Sequence, residues 1–430
     1  MELTIERVLA WEALDSRGTP TVSCVVTLAG GAEGQAAAPS GASTGSHEAH
    51  ELRDGDSRFG GKGVGVAVAA VNGEIAEVLR GGDAGDQEAL DALLRDLDGT
   101  PGLGRLGGNA VLAVSVACAL ATAAARREPL WRCLAPEGPP LLPLPMVNVL
   151  SGGAHAARAI DVQDVLVVPV GAASFAEAIE WAARVRAAAA DVLRARGHPV
   201  ALVADEGGLA APLGSNREAV EIVAAAIERS GLVPREQAGI AVDVAATQLL
   251  DGTGYRFAAE NRPLHREELV TEIRSWCDDF PVVSVEDPFG EDDAEGWRLA
   301  SERLGHVQLL GDDLFATSRE RLAEGVAAGI ANAVIVKPNQ AGTLSDARRV
   351  VELARSAGYA TVLSARSGDT EESWLADLAV GWRTGQLKVG STTRSERTAK
   401  WNRLLRLEAE CDDARFVGRD VLAPSAMLRA

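Results

Sequence analysis

After residue 160 the chain alternates between short Val/Ile/Leu runs and long Ala-rich stretches of helical period, and no other feature restricts its fold so strongly. The runs are VQDVLVVPV (162–170), PVALVADEGG (199–208), GIAVDVA (239–245), PVVSVEDPF (281–289), HVQLLGDDL (306–314), NAVIVKPNQ (332–340), ATVLSARSG (360–368) and QLKVGST (386–392). Eight β segments separated by helices such as SFAEAIEWAARVRAAAADVLRARG predict an α/β barrel. Seven runs pass directly into a charged residue: Glu206, Asp243, Glu286, Asp312, Lys337, Arg366 and Lys388. One such charge alone would read as a solvated loop residue. Barrel enzymes place their chemistry where strands end, so four carboxylates followed by three cations predict a single reactive mouth.

Upstream, residues 1–60 read as strands and loops, with TPTVSCVVTLAG a β-branched run and PSGASTGSHEAH a flexible loop. Helical periods follow in GVAVAAVNGEIAEVLR, DQEALDALLRDLD and NAVLAVSVACALATAAARRE. These patterns predict an N-terminal α+β domain over 1–135 and a barrel over 136–430, with the Pro cluster GPPLLPLPMVN (138–148) as a linker.

Charge narrows the partners. With 42 Lys+Arg against 61 Asp+Glu the net charge is −19, which repels nucleic acid and anionic membranes. A small anionic ligand must then be held by local cations or by metal. Five cysteines without a CxxC pair predict reduced thiols and a cytoplasmic setting. The start, MELTIERVLAW, does not read as a secretory signal. The apolar stretch 110–125 falls short of the ~20 residues of a membrane span and reads as a buried helix.

Asp243, Glu286 and Asp312 follow three successive strands, and three convergent hard oxygens suit Mg²⁺ rather than zinc. Lys337 and Lys388 would face that metal from the sixth and eighth runs. A buried ammonium beside other cations has its pKa pulled down and can act as a base. Removing a proton next to a carboxylate gives a dianionic enediolate, which metal charge makes accessible. Glu206, in ADEGG, would protonate a departing hydroxyl.

In their order, DSRGTPTV, PSGASTGSHEA, LRDGD, NVLSGGAHA, DEGG, VEDPFGEDD, GDDL, VKPNQAGTLSDA and RTGQLKVG with RSER resemble the motifs of the enolase family over nearly the whole chain. The pairing of a Lys base with Mg²⁺ is that superfamily's. The resemblance implies an N-terminal α+β domain capping an enolase-type (β/α)8 barrel of irregular strand order, a homodimer or higher homo-oligomer, and two Mg²⁺ per active site. It implies that Asp243, Glu286 and Asp312 hold the tighter ion and that Ser43, in the lid loop, ligates the second. It makes Lys337 the base that removes the C2 proton, Lys388 the partner of the substrate carboxylate, and Glu206 the acid, with Asp164 beside them. Arg366 and Ser367 would bind phosphate, with His155 near it and the lid.

Two departures fall inside the site. Asp164 stands where the family has Glu, retracting the carboxylate by ~1.5 Å. Ala365 stands where the family has His, in Ser364-Ala365-Arg366-Ser367-Gly368. Gln248, Ala341, Arg158 and Ser391-Thr392-Thr393 depart further. The metal and base side is intact while the phosphorus and leaving-group side has changed. Two catalytic readings follow: a specialised enzyme of secondary metabolism resembling the carboxyphosphonoenolpyruvate synthases, with Arg158 an extra cation for a phosphonylated substrate, and an ordinary glycolytic enolase converting 2-phosphoglycerate to phosphoenolpyruvate. A non-catalytic binding protein would have no reason to keep both lysines, Glu206 and all three acids.

Overall fold

The computed structural model describes residues 2–42, 45–135 and 138–422. Near the N-terminus β1 (Ile5–Leu14), β2 (Pro20–Leu28) and β3 (Glu33–Ala37) form an antiparallel sheet in that order. The helix Gly108–Arg126 lies against β2 and β3, and its apolar residues are buried almost all round, so a segment apolar enough to cross a membrane serves as the domain core. Gly34 permits this approach. A Cβ there would lie 2.2 Å from both the Ala117 carbonyl oxygen and the Ala121 nitrogen.

Eight strands close the barrel in chain order: β4 (Leu144–Ser151), β5 (Asp164–Val168), β6 (Gly239–Asp243), β7 (Val282–Glu286), β8 (Gln308–Gly311), β9 (Ala333–Val336), β10 (Ala360–Ser364) and β11 (Gly385–Gly390). Neighbours run parallel except β5, which is antiparallel to both β4 and β6. The reversal puts the first residue of β5, Asp164, opposite Asp243, the last residue of β6. Leu144, Met146, Leu166, Val283, Leu310 and Ile335 belong to an apolar cluster inside the barrel.

Two sequence expectations are corrected here. The Pro cluster read as a linker contains the first part of β4, Leu144 to Asn148. Pro145 pairs toward β11, but the ladder with β5 begins only at Val147, so the missing N–H falls where the strand has one neighbour. Conversely, 199–208 is a loop rather than a strand. It joins neighbouring backbone through the single bridges Val203 to Leu209 and Leu150 to Leu209, and Leu202 and Val203 are exposed. Helices Phe175–Ala195 and Asn216–Arg229 flank the loop and pack on each other. Each starts at a serine whose Oγ accepts an amide at 3.1 Å: Ser174 from Glu177 and Ser215 from Glu218. The loop is thus the tip of a helical hairpin that returns the chain to the mouth.

The N-terminal domain is tied to the barrel at its rim. Ser40 and Gly368 exchange two backbone hydrogen bonds of 2.8 Å, and Glu372 accepts the Ala37 amide at 2.8 Å.

Candidate active site

Asp243 and Glu286 end β6 and β7, Asp312 directly follows β8, and all three are buried. They share one space with the two predicted lysines. Lys388 Nζ lies 2.8 Å from Asp243 Oδ2 and 2.8 and 2.7 Å from the two oxygens of Glu286. Lys337, following β9, is ion-paired with Asp312, whose other oxygen accepts from Gln340 Nε2 at 3.2 Å. Burial, then Asp243, hold the Glu286 carboxyl well above the usual range, and Asp312 adds to the effect.

The expected lowering of the Lys337 pKa is reversed in this arrangement. Burial pushes it down, with Arg366 and Lys388 acting the same way, but the carboxylates facing it, Asp312 first and Glu286 with it, push it up and the net direction is up. Behind Asp312, the Asp287 carboxylate accepts the amides of Asp312 and Asp313 at 2.9 and 2.7 Å. Burial and Asp312 push the Asp313 carboxyl up to about 7. Buried carboxylates therefore outnumber the ammonium groups, a surplus of hard oxygen that suits a divalent cation; among the described residues Asp287, Asp312 and Asp313 bring carboxylate oxygens within 4.8 Å of one another.

On the opposite side Glu206 projects from the hairpin tip, within 3.2 Å of Asn148 Nδ2 and 3.9 Å of His155 Nε2. Asp164 was expected among the catalytic groups, yet both its oxygens are engaged. Oδ1 accepts from Asn148 Nδ2 at 2.8 Å and Ser151 Oγ at 2.6 Å, while Oδ2 lies 2.9 Å from His155 Nδ1. The shorter side chain thus orients the imidazole. Burial would lower the His155 pKa, but Asp164 and Glu206 together raise it to about 9, so the ring is an imidazolium at neutral pH. Burial pushes the Glu206 carboxyl up, yet His155, Arg397 and the two lysines draw it below the usual range.

Arg366 and Ser367 face the lid side. Arg366 Nη1 lies 2.8 Å from Glu48 Oε2, and Glu48 Oε1 accepts the Gly45 amide at 2.8 Å. Ser367 Oγ accepts from the Ala42 amide at 2.6 Å and from Arg17 Nη1 at 3.3 Å. The buried Arg397 fixes this turn by donating to the carbonyls of Arg366 and Ser367 at 2.6 Å each. Ala365 is buried and its amide donates to the Lys388 carbonyl at 2.9 Å. Ser43 lies outside the described residues. Arg158 lines a cavity of about 230 Å³ with Gly153, Gln248, Asp251 and Arg256, away from the residues around Ala365.

Residues 5–134 match the enolase N-terminal domain, and residues 140–425 match the enolase C-terminal TIM barrel domain. The chain belongs to the enolase family. Enolase-family enzymes typically use Mg²⁺, in keeping with the oxygen-rich donor set at the mouth. Several side chains around this site had not been singled out from the sequence of this enolase-superfamily enzyme. Glu48 and Gln340 lie inside quoted motifs, PSGASTGSHEA and VKPNQAGTLSDA, so the motif marked them while the chemistry of a single charge did not. Asn148 and Ser151, on β4, likewise lie inside a quoted motif, NVLSGGAHA.

Proposed function

We propose that this enzyme performs an enolase-type elimination on a 2-phosphoglycerate-like acid whose phosphorus group is modified, as in the carboxyphosphonoenolpyruvate synthases of secondary metabolism. Lys337 removes the C2 proton, the C2–H electron pair forms the C2=C3 bond, and the C3 hydroxyl leaves as water. The proton for that water is held by the Glu206–His155 pair, with His155 keeping it while Glu206 is ionised. Lys388 and Arg366 supply charge for the substrate's carboxylate and phosphorus groups, and Ser367 a polar hydroxyl.

Asp243, Glu286 and Asp312 would hold Mg²⁺, with Ser43 serving a second ion. When bound, that cation supplies the positive charge that lowers the cost of a dianionic carbanion. With Asp312's charge shared in that way, burial, Arg366 and Lys388 remain to favour the neutral amine a base requires.

The observation that carries the specialised reading is the contrast between the two sides of one mouth. The acids and lysines of deprotonation keep the family's residue types, whereas Ala365 beside Arg366 and Ser367 lacks the imidazole of the family motif. A carboxyl on phosphorus is smaller than the missing ring. The intact base side favours a second reading, ordinary dehydration of 2-phosphoglycerate. A cytoplasmic homodimer is part of the proposal, supported by family membership and five free thiols.

The test follows formation of the enol chromophore from 2-phosphoglycerate with Mg²⁺ in the parent and in Ala365→His. A slow parent whose Ala365→His variant turns over an analogue with a carboxyl on phosphorus more slowly than the parent does supports the specialised reading. A parent as fast as ordinary enolases on 2-phosphoglycerate refutes it, and a variant that gains on 2-phosphoglycerate without losing on the analogue marks a crippled ordinary site.

A further inference from the structure

Glu206 differs from the two lysines in its support: Lys337 and Lys388 sit on or directly after barrel strands, while Glu206 sits at a hairpin tip. A loop residue reaches a fixed position only if something outside the loop holds it. Two side chains and one backbone amide meet the backbone of Glu206 and Gly207. Arg186, on the helix Phe175–Ala195, donates to the Gly207 carbonyl from Nη2 at 3.0 Å and Nε at 3.3 Å, and from Nε to Ser391 Oγ at 3.0 Å. Thr393 Oγ1 donates to the same carbonyl at 2.8 Å. The Ser391 amide donates to the Glu206 carbonyl at 2.8 Å, and Ser391 is itself held by Trp401 Nε1 on its carbonyl at 3.0 Å.

Arg186 pairs with no carboxylate among the described residues, and burial lowers its pKa. A half-buried guanidinium without an acid partner is unfavourable on its own and is explained by the carbonyl it grips. The hydroxyls of Ser391 and Thr393 belong to the Ser-Thr-Thr segment that departs from the family's Gly-Ala-Pro, so two of the bracing groups are particular to this chain.

We propose that Arg186, Ser391 and Thr393 form a brace that sets the reach of Glu206 toward the departing hydroxyl, making them positioning residues for the leaving-group step alone. The brace does not touch Lys337. It acts on the second half of the reaction and leaves the first half free. This role rests on the elimination reading above.

The test measures two rates in one sample, C2-proton exchange of 2-phosphoglycerate with solvent and enolpyruvate formation, both with Mg²⁺. Arg186→Met and Thr393→Val each shift the Glu206 backbone, and a displacement near 1 Å lowers enolpyruvate formation about 10- to 100-fold, while exchange stays within about two-fold and KM changes little. Thr393→Ser keeps the hydroxyl and restores the parent rate. If Arg186→Met does not fold, the threonine pair alone decides. Exchange and elimination falling together, or Thr393→Val matching the parent, overturns the brace. A parent that exchanges the C2 proton of neither 2-phosphoglycerate nor an analogue with a carboxyl on phosphorus overturns the elimination reading itself, an outcome visible before any variant is made.

Discussion

Replacing Lys388 by Met removes the ammonium that bridges Asp243 and Glu286, whose side chains are 2% and 3% exposed. Deleting one partner of a buried ion pair costs about 3–5 kcal/mol, because the remaining charge is left uncompensated. Unfolding 430 residues releases roughly 0.9 kcal/mol/K of entropy, so the Tm of Lys388→Met falls by about 3–6 °C in the presence of a chelator. The loss carries a pH signature. The folded Glu286 pKa lies above its unfolded value, so the native state binds more protons there and stability declines as pH rises above the unfolded value of 4.5. Without Lys388 this penalty deepens, and the variant loses more at about pH 8 than at about pH 5. Mg²⁺ then narrows the gap between parent and variant, since a bound cation stabilises the native state and takes over the neutralisation. Scanning calorimetry of both proteins, with and without Mg²⁺, at the two pH values measures all three effects. A Tm loss identical under every condition would show a packing defect in place of a charge imbalance and refute the electrostatic account of the mouth.

Other outcomes follow from the same geometry. Lys337→Ala removes C2-proton exchange, with a loss of at least about 10²-fold as for other general bases, whereas Glu206→Gln keeps exchange and blocks elimination; isotope exchange followed by NMR separates the two. Asp164→Asn removes the strongest influence raising His155, and its NMR titration falls from about 9 toward 6.5. In the parent the His155 contribution to stability is full below about pH 6.5 and fades as pH rises through about 9, while the variant lacks that dependence. Gly34→Ala forces a methyl onto the helix backbone 2.2 Å away and costs about 1–3 kcal/mol or more, read as a lower Tm with activity per folded molecule unchanged.

The barrel was legible because seven of its strands read as apolar runs, and six of those end in or lead into a charge. One slot was misassigned. Prolines disguised Leu144–Ser151, whereas PVALV looked like a strand although Leu202 and Val203 face solvent. Periodicity cannot register that a run is exposed or that a proline needs one unpaired side only. The reversed β5 hid Asp164 from any rule based on strand ends, and family likeness alone marked it. The pairing of Asp164 with His155 was invisible because it depends on which oxygen each neighbour occupies.

Mounting the proposed acid, Glu206, on a helical hairpin and the two amines on the barrel wall divides the candidate site into two mechanically separate parts. The fixed part is constrained by every strand pairing around the cylinder, so its residues are hard to change singly. The hairpin tip hangs on a few side-chain grips and can be re-aimed by small substitutions. Such a division lets a lineage keep one carbanion chemistry while trying different groups to expel.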